Sequence, residues 1–166
     1  MSLSNLDDLF LHHLKDTYDA EKRLLKALPK MKKAASSKTL QAAFQEHTTA
    51  TAEHVTRLER VFEILGKPAR GVKCLAMEGL INEGKELMEE DASDAVMDAA
   101  LIAAAQKVEH YEIAAYGTMA TYAEILGMKD ALKLLKQTLG EEKETDEKLT
   151  KIASSINFKA DEEDEE

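Results

Sequence analysis

The sequence predicts an all-α fold: an antiparallel four-helix bundle with a short additional helix in the crossover between the second and third long helices. Three observations carry this expectation. The 166 residues hold only two prolines and seven glycines and no tryptophan, a composition suited to helix. Apolar residues recur with a period of about 3.6 residues along four long stretches. The order of patterns is long, long, short, long, long, as two hairpins joined by one crossover require.

Taking the elements in order, Ser4 or Asn5 can cap the first helix, and Asp7 and Asp8 suit the positive end of its dipole. Its inward stripe runs through Leu6, Phe10, Leu14, Thr17, Glu21, Leu24, Leu25 and Leu28, with a glutamate mid-stripe. Pro29 loosens the last turn, and Ser36-Ser37 reads as the break. The second helix is expected from Lys38 to Leu65, stopped by Gly66-Lys67-Pro68. Its stripe includes Phe44, His47, Thr51, His54, Leu58 and Phe62, so histidines occupy inward positions, whereas Glu46 and Glu53 point to solvent. Residues 70–91 carry the short connecting helix, on which Glu78 reads as a solvated acid. The third long helix follows Ser93 or Asp94 as cap and ends at Gly127; the last runs from Lys129 to Ile156.

The stretch from residue 98 to 127 organises the rest. Ile102, Ala105, Glu109, Glu112, Ile113, Tyr116 and Ala120 share one face, and two carboxylates interrupt it where burial of a lone charge costs several kcal/mol. Lys107 points about 160° away from Glu109 on the helical wheel, so the partners must come from other helices or from metal ions. The last helix repeats the anomaly with Glu142 and Asp146 in the stripe formed by Leu135, Leu149 and Ile152.

Simple hairpin geometry brings these acids to similar heights. If the first pair of helices turns near residue 36, facing positions sum to about 72, which sets Glu21 level with Thr51 and one turn from His47 and His54. If the second pair turns near residue 127, they sum to about 255, setting Glu109 level with Asp146 and Glu112 beside Glu142. Five carboxylates in a bundle interior repel strongly, and divalent cations remove that problem. Glu109 and Glu112 at i, i+3 and Glu142 and Asp146 at i, i+4 project from neighbouring turns, a spacing able to bridge ions about 3.5–4 Å apart. His47 and His54 are seven residues apart, about 10 Å along the axis; one is expected to ligate and the other to pack. His110 and the pair His12-His13 read as flank or surface residues.

Composition excludes other classes. The net charge is −10, but Asp161, Glu162, Glu163, Asp164, Glu165 and Glu166 supply six of those charges, so the chain divides into a helical domain over 1–157 and an acidic, solubilising, disordered tail over 158–166. No basic stripe suits nucleic acid. Cys74 is the single cysteine, which fits a reducing compartment; neither a secretory leader nor a run of about 20 apolar residues is present. A cytoplasmic protein without membrane or nucleic-acid partners is expected. No glycine-rich phosphate loop or nucleophile motif appears.

The segments DTYDAEKRLLKALPKM, AMEGLI, AALIAAAQKVEHYEIAAYGT and LGEEKETDEKL resemble the YciE/YciF-type ferritin-like stress proteins of bacteria, over almost all of residues 4–155. The resemblance implies a ferritin-like four-helix bundle, often a homodimer, with a rubrerythrin-like dinuclear metal centre and a link to general or osmotic stress. The ligands it implies are Glu21, His47, Glu109, Glu112, Glu142 and Asp146. Relatives commonly carry His-x-x-Glu in the second helix, where this chain has His47 followed by Ala50; His54 is then a candidate to compensate. Glu142 and Asp146 stand where Glu-x-x-His is usual, making the site richer in oxygen.

Two functions remain open. The first is a centre of two divalent ions, iron or manganese, with calcium, magnesium or zinc as alternatives, that reacts with oxygen or peroxide; Tyr18 and Tyr116 lie near it, each expected to pack with its hydroxyl on a carboxylate. The second is a non-enzymatic stress protein that binds metal or associates with other proteins.

Overall fold

A computed structural model describes residues 3–162. Five helices occur in the described residues, with no strand: α1 (Leu6–Ala34), α2 (Lys38–Ile64), α3 (Leu75–Leu87), α4 (Asp94–Ile125) and α5 (Lys129–Glu162). The caps follow the local chemistry. Asn5 Oδ1 accepts from the Asp8 amide at 2.8 Å, Ser37 caps α2 and Ser93 caps α4. Gly66 and Gly127 take positive φ, 64° and 71°, just past the ends of α2 and α4, a conformation that costs a residue with a Cβ.

Backbone proximity places α1 beside α2, α2 beside α5, α5 beside α4 and α4 beside α1, a closed ring of four, with α3 against α4 and α1. Two apolar clusters fill its ends. One holds Leu24, Leu28, Leu40, Phe44, Leu101, Leu149 and Ile156; the other holds Phe10, Leu14, Leu58, Phe62, Met119, Ala131 and Leu135. Each ring neighbour therefore runs opposite to the next, and each fully buried Phe or Leu contributes about 1.5–3 kcal/mol. Between the clusters lies a buried polar layer: Glu21, His47, Thr51, His54, Glu109, Glu112 and Glu142.

Two boundaries differ from expectation, the start of α3 and the end of α5. α3 starts at Leu75 rather than near residue 70, because the preceding chain lies extended along α1: the Val72 amide donates to Lys15 O at 3.2 Å and the Cys74 amide to Asp19 Oδ2 at 2.8 Å. Gly71 makes that approach possible, since a Cβ there would stand 3.0 Å from the Asp19 Cβ. α4 begins at Asp94 behind the expected Ser93 cap and is anchored by buried Asp98, whose two oxygens accept from the Ser36 and Ser37 amides at 2.8 Å each. α5 continues through Glu162, so residues 158–162 are helical rather than part of a disordered tail; the rest of the expected acidic tail, residues 163–166, lies outside the described residues.

Candidate metal centre

Each site residue arrives by helical periodicity. Glu21 comes from α1, His47 and His54 two turns apart from α2, Glu109 and Glu112 one turn apart from α4, and Glu142 from α5. All six are buried, the four glutamates completely.

The side chains form two groups that share one residue. His47, Glu109, Glu112 and Glu142 each offer a ligand atom within 4.8 Å of the others, and so do Glu21, His54 and Glu142. Glu142 spans both: its Oε1 lies 2.9 Å from His54 Nδ1, and its Oε2 lies 3.7 Å from His47 Nε2. His47 Nδ1 is 2.9 Å from Glu109 Oε1 and its Nε2 is 3.9 Å from Glu112 Oε2. His54 Nδ1 is 3.8 Å from Glu21 Oε1. Two imidazoles thus face four carboxylates.

Close approach here is not hydrogen bonding. Both oxygens of Glu109, Glu112 and Glu142, together with Glu21 Oε2, His47 Nε2 and His54 Nδ1, are buried without a hydrogen-bond partner among the described residues; the 2.9 Å contacts lack the alignment a hydrogen bond needs. Buried polar atoms are normally satisfied, so this many orphans in one place mark a site shaped for something that accepts many lone pairs at once.

Electrostatics agree. Burial, then repulsion from Glu142, pushes the Glu21 carboxyl up to about 7. Burial does the same to Glu109, also to about 7, against the opposing pull of His47. Glu112 rises well above the ordinary range through burial and the neighbouring Glu142, Glu21 and Glu109. Burial alone lowers the two histidines, but the facing carboxylates outweigh it: Glu109 raises His47, and Glu142 takes His54 to about 9.

Asp146 is not brought into either group. Its carboxyl, about a fifth exposed, pairs with His110 Nε2 at 3.3 Å and accepts from Gln106 Nε2 at 3.2 Å. Four residues beyond Glu142 is a turn plus about 40° of rotation, which carries Asp146 off the interior and onto the flank of α4. The division of labour expected between the histidines also changes: each faces its own group, so neither simply packs. Thr51, level with Glu21, turns its hydroxyl back to His47 O at 2.8 Å.

Sequence reasoning missed Glu141. Its Oε2 lies 2.9 Å from His54 Nε2 and takes Arg57 Nη1 at 2.6 Å. Arg57, one turn after His54, was the available signal. The tyrosines pack as expected: Tyr116 donates to Glu21 Oε1 at 2.5 Å and Tyr18 donates to Glu59 Oε1 at 2.8 Å.

A sequence profile described as "Domain of unknown function (DUF892)" matches residues 5–160. The chain belongs to the DUF892 family. It is 51% identical over 162 residues to Protein YciF of Escherichia coli (strain K12), covering 96% of this chain and 98% of YciF. The crystal structure of the E. coli stress protein YciF superposes with a TM-score of 0.91 at 50% identity, covering 95% of this chain and 99% of that one. A second structure, YcfI, a putative structural protein from Rhodopseudomonas palustris, gives 0.88 at 44% identity over 90% and 95%. A more distant Xanthomonas campestris protein, 18% identical, shares the fold at 0.77 over 97% and 99%. Among the described residues of this DUF892 chain, no helix is long and apolar enough to cross a membrane.

Proposed function

We propose that this DUF892 chain is a stress-related, ferritin-like protein whose ring of helices is an antiparallel four-helix bundle, with α3 in the crossover, enclosing two divalent metal ions, iron or manganese. The observation that carries the reading is Glu142, one oxygen toward each histidine, shared by two groups in which, among the described residues, every carboxylate oxygen except Glu21 Oε1, held by Tyr116, lacks a hydrogen-bond partner. Such a donor set, oxygen-rich with one imidazole per group, fits hard or borderline divalent cations.

His47, Glu109 and Glu112 would hold one ion, Glu21 and His54 the other, with Glu142 between them. When bound, iron or manganese supplies Lewis acidity and a change of oxidation state, the chemistry needed to react with oxygen or peroxide. The chain's own part is positional. Tyr116 fixes one oxygen of Glu21 and leaves Oε2 free to bind, while the apolar clusters on either side keep bulk water from the layer. The protein is further read as a cytoplasmic homodimer.

The test is metal content of the purified protein, with peroxide consumption after iron or manganese is supplied, compared with a Glu109→Ala, Glu112→Ala double variant. Two bound ions and turnover, both lost in the variant, are expected; a native protein that takes up no divalent metal refutes the reading. The Rhodopseudomonas relative's description as a putative structural protein favours a second reading, a non-enzymatic metal-binding or interaction protein. Metal uptake without turnover would select it.

A further inference from the structure

Outside the two groups, one contact chain runs from the buried layer to the surface. His54 directs Nδ1 inward, 2.9 Å from Glu142 Oε1 and 3.8 Å from Glu21 Oε1, and directs Nε2 outward to Glu141 Oε2 at 2.9 Å. Glu141 is itself gripped. Arg57 forks onto it, Nη1 to Oε2 at 2.6 Å and Nη2 to Oε1 at 2.9 Å, and Gln137 Nε2 adds a bond to Oε1 at 3.3 Å.

Among the described residues, His47 has no such brace. Its Nδ1 faces Glu109 and its Nε2 faces Glu112 and Glu142, so both ring nitrogens point into the interior and no outer group selects between the two tautomers.

We infer that Glu141, clamped by Arg57, is a positioning residue that holds His54 in the tautomer with its Nδ1 lone pair facing Glu21 and Glu142, making these three residues the better-ordered of two unequal metal positions. The reason is donor counting. An ionised carboxylate only accepts, so the nitrogen facing Glu141 must carry the hydrogen. An imidazole that binds a metal is neutral and keeps one N–H, so Nδ1 is left as the ligand atom. Outer partners of this kind orient a metal-binding histidine, and losing one typically weakens binding by about 10–100-fold. Glu141 and Arg57 touch no ion; they act through His54. The inference rests on the metal-centre reading above.

Zinc serves as a diamagnetic probe in the intact chain. The wild-type protein is expected to bind two ions in distinguishable steps. Glu141→Ala weakens one step by about 10–100-fold and leaves the other unchanged, and Glu141→Gln, which keeps an acceptor oxygen, falls between. Nitrogen-15 spectra of the zinc-loaded wild type show His54 bound through Nδ1 with a proton on Nε2. Coordination through Nε2, or a Glu141→Ala protein whose two steps match wild type or weaken equally with a lowered melting temperature, overturns the inference alone. A wild-type protein that binds neither zinc, iron nor manganese overturns both it and the reading beneath it.

Discussion

Replacing Glu109 by Gln separates a metal ligand from a structural ion-pair partner. The side chain is fully buried, and its carboxyl rises from an ordinary 4.5 to about 7. Every tenfold change in a group's proton affinity corresponds to about 1.4 kcal/mol between its protonation states. In metal-free protein the folded-state pKa lies above the unfolded one, so the stability this carboxyl contributes is complete below about pH 4.5 and is lost as pH rises through about 7. At pH 8 the ionised carboxylate therefore burdens the fold by about 3 kcal/mol; at pH 5 the burden is about 1 kcal/mol. Glu109→Gln is isosteric and neutral, so the chelator-treated variant should be more stable than wild type by about 3 kcal/mol at pH 8 and by about 1 kcal/mol at pH 5. Urea unfolding followed by helix circular dichroism measures both differences. With manganese added the order reverses, because ligand binding stabilises only the protein that retains the site. A variant less stable than metal-free wild type at pH 8 refutes the reasoning, since it would make Glu109 a net-stabilising partner of His47.

Other parts of the molecule give equally direct expectations. Asp146→Ala should leave the number of bound metal ions unchanged, whereas Glu142→Ala, which removes the residue common to both groups, should abolish both; equilibrium dialysis against manganese followed by elemental analysis distinguishes them. Asp98→Ala removes two charge-assisted bonds to the α1–α2 turn and should lower stability by about 3 kcal/mol, with Asp98→Asn, which retains one acceptor, losing less; an unchanged urea midpoint would discount the anchor. His54, raised from 6.5 to about 9, contributes stability that is complete below about pH 6.5 and is lost as pH rises through about 9. The melting temperature of chelator-treated wild type should accordingly fall between those values, and thermal scans across the range check it.

The four long helices and the interior glutamates were legible because a carboxylate in an apolar stripe contradicts its surroundings. Glu21, Glu109, Glu112 and Glu142 all declared themselves this way, and all are fully buried. Asp146 shows where that logic stops. Hairpin arithmetic gives height along a helix but not the angle around it, and about 40° of extra rotation moved it from the interior to His110. Glu141 escaped for the converse reason: it neighbours Glu142 in sequence, faces elsewhere, and matters only through Arg57 and His54 on another helix. Asp98 gave no signal in the sequence, because its partners are backbone amides of a distant turn. The histidine spacing, about 10 Å, suggested that one ring ligates and the other packs, whereas each ring faces its own group and Glu142 belongs to both.

The polar layer also acts as a ruler for the fold. With apolar residues above and below it, sliding α4 by one turn, about 5.4 Å, would carry Glu112 toward the level of Tyr116 and Met119 and set an uncompensated charge against Phe and Leu side chains. A stripe of leucines alone would tolerate such a slip far better. The same four glutamates that strain the metal-free interior therefore leave the helices one acceptable register, a form of specificity that buried polar groups supply in other helical assemblies.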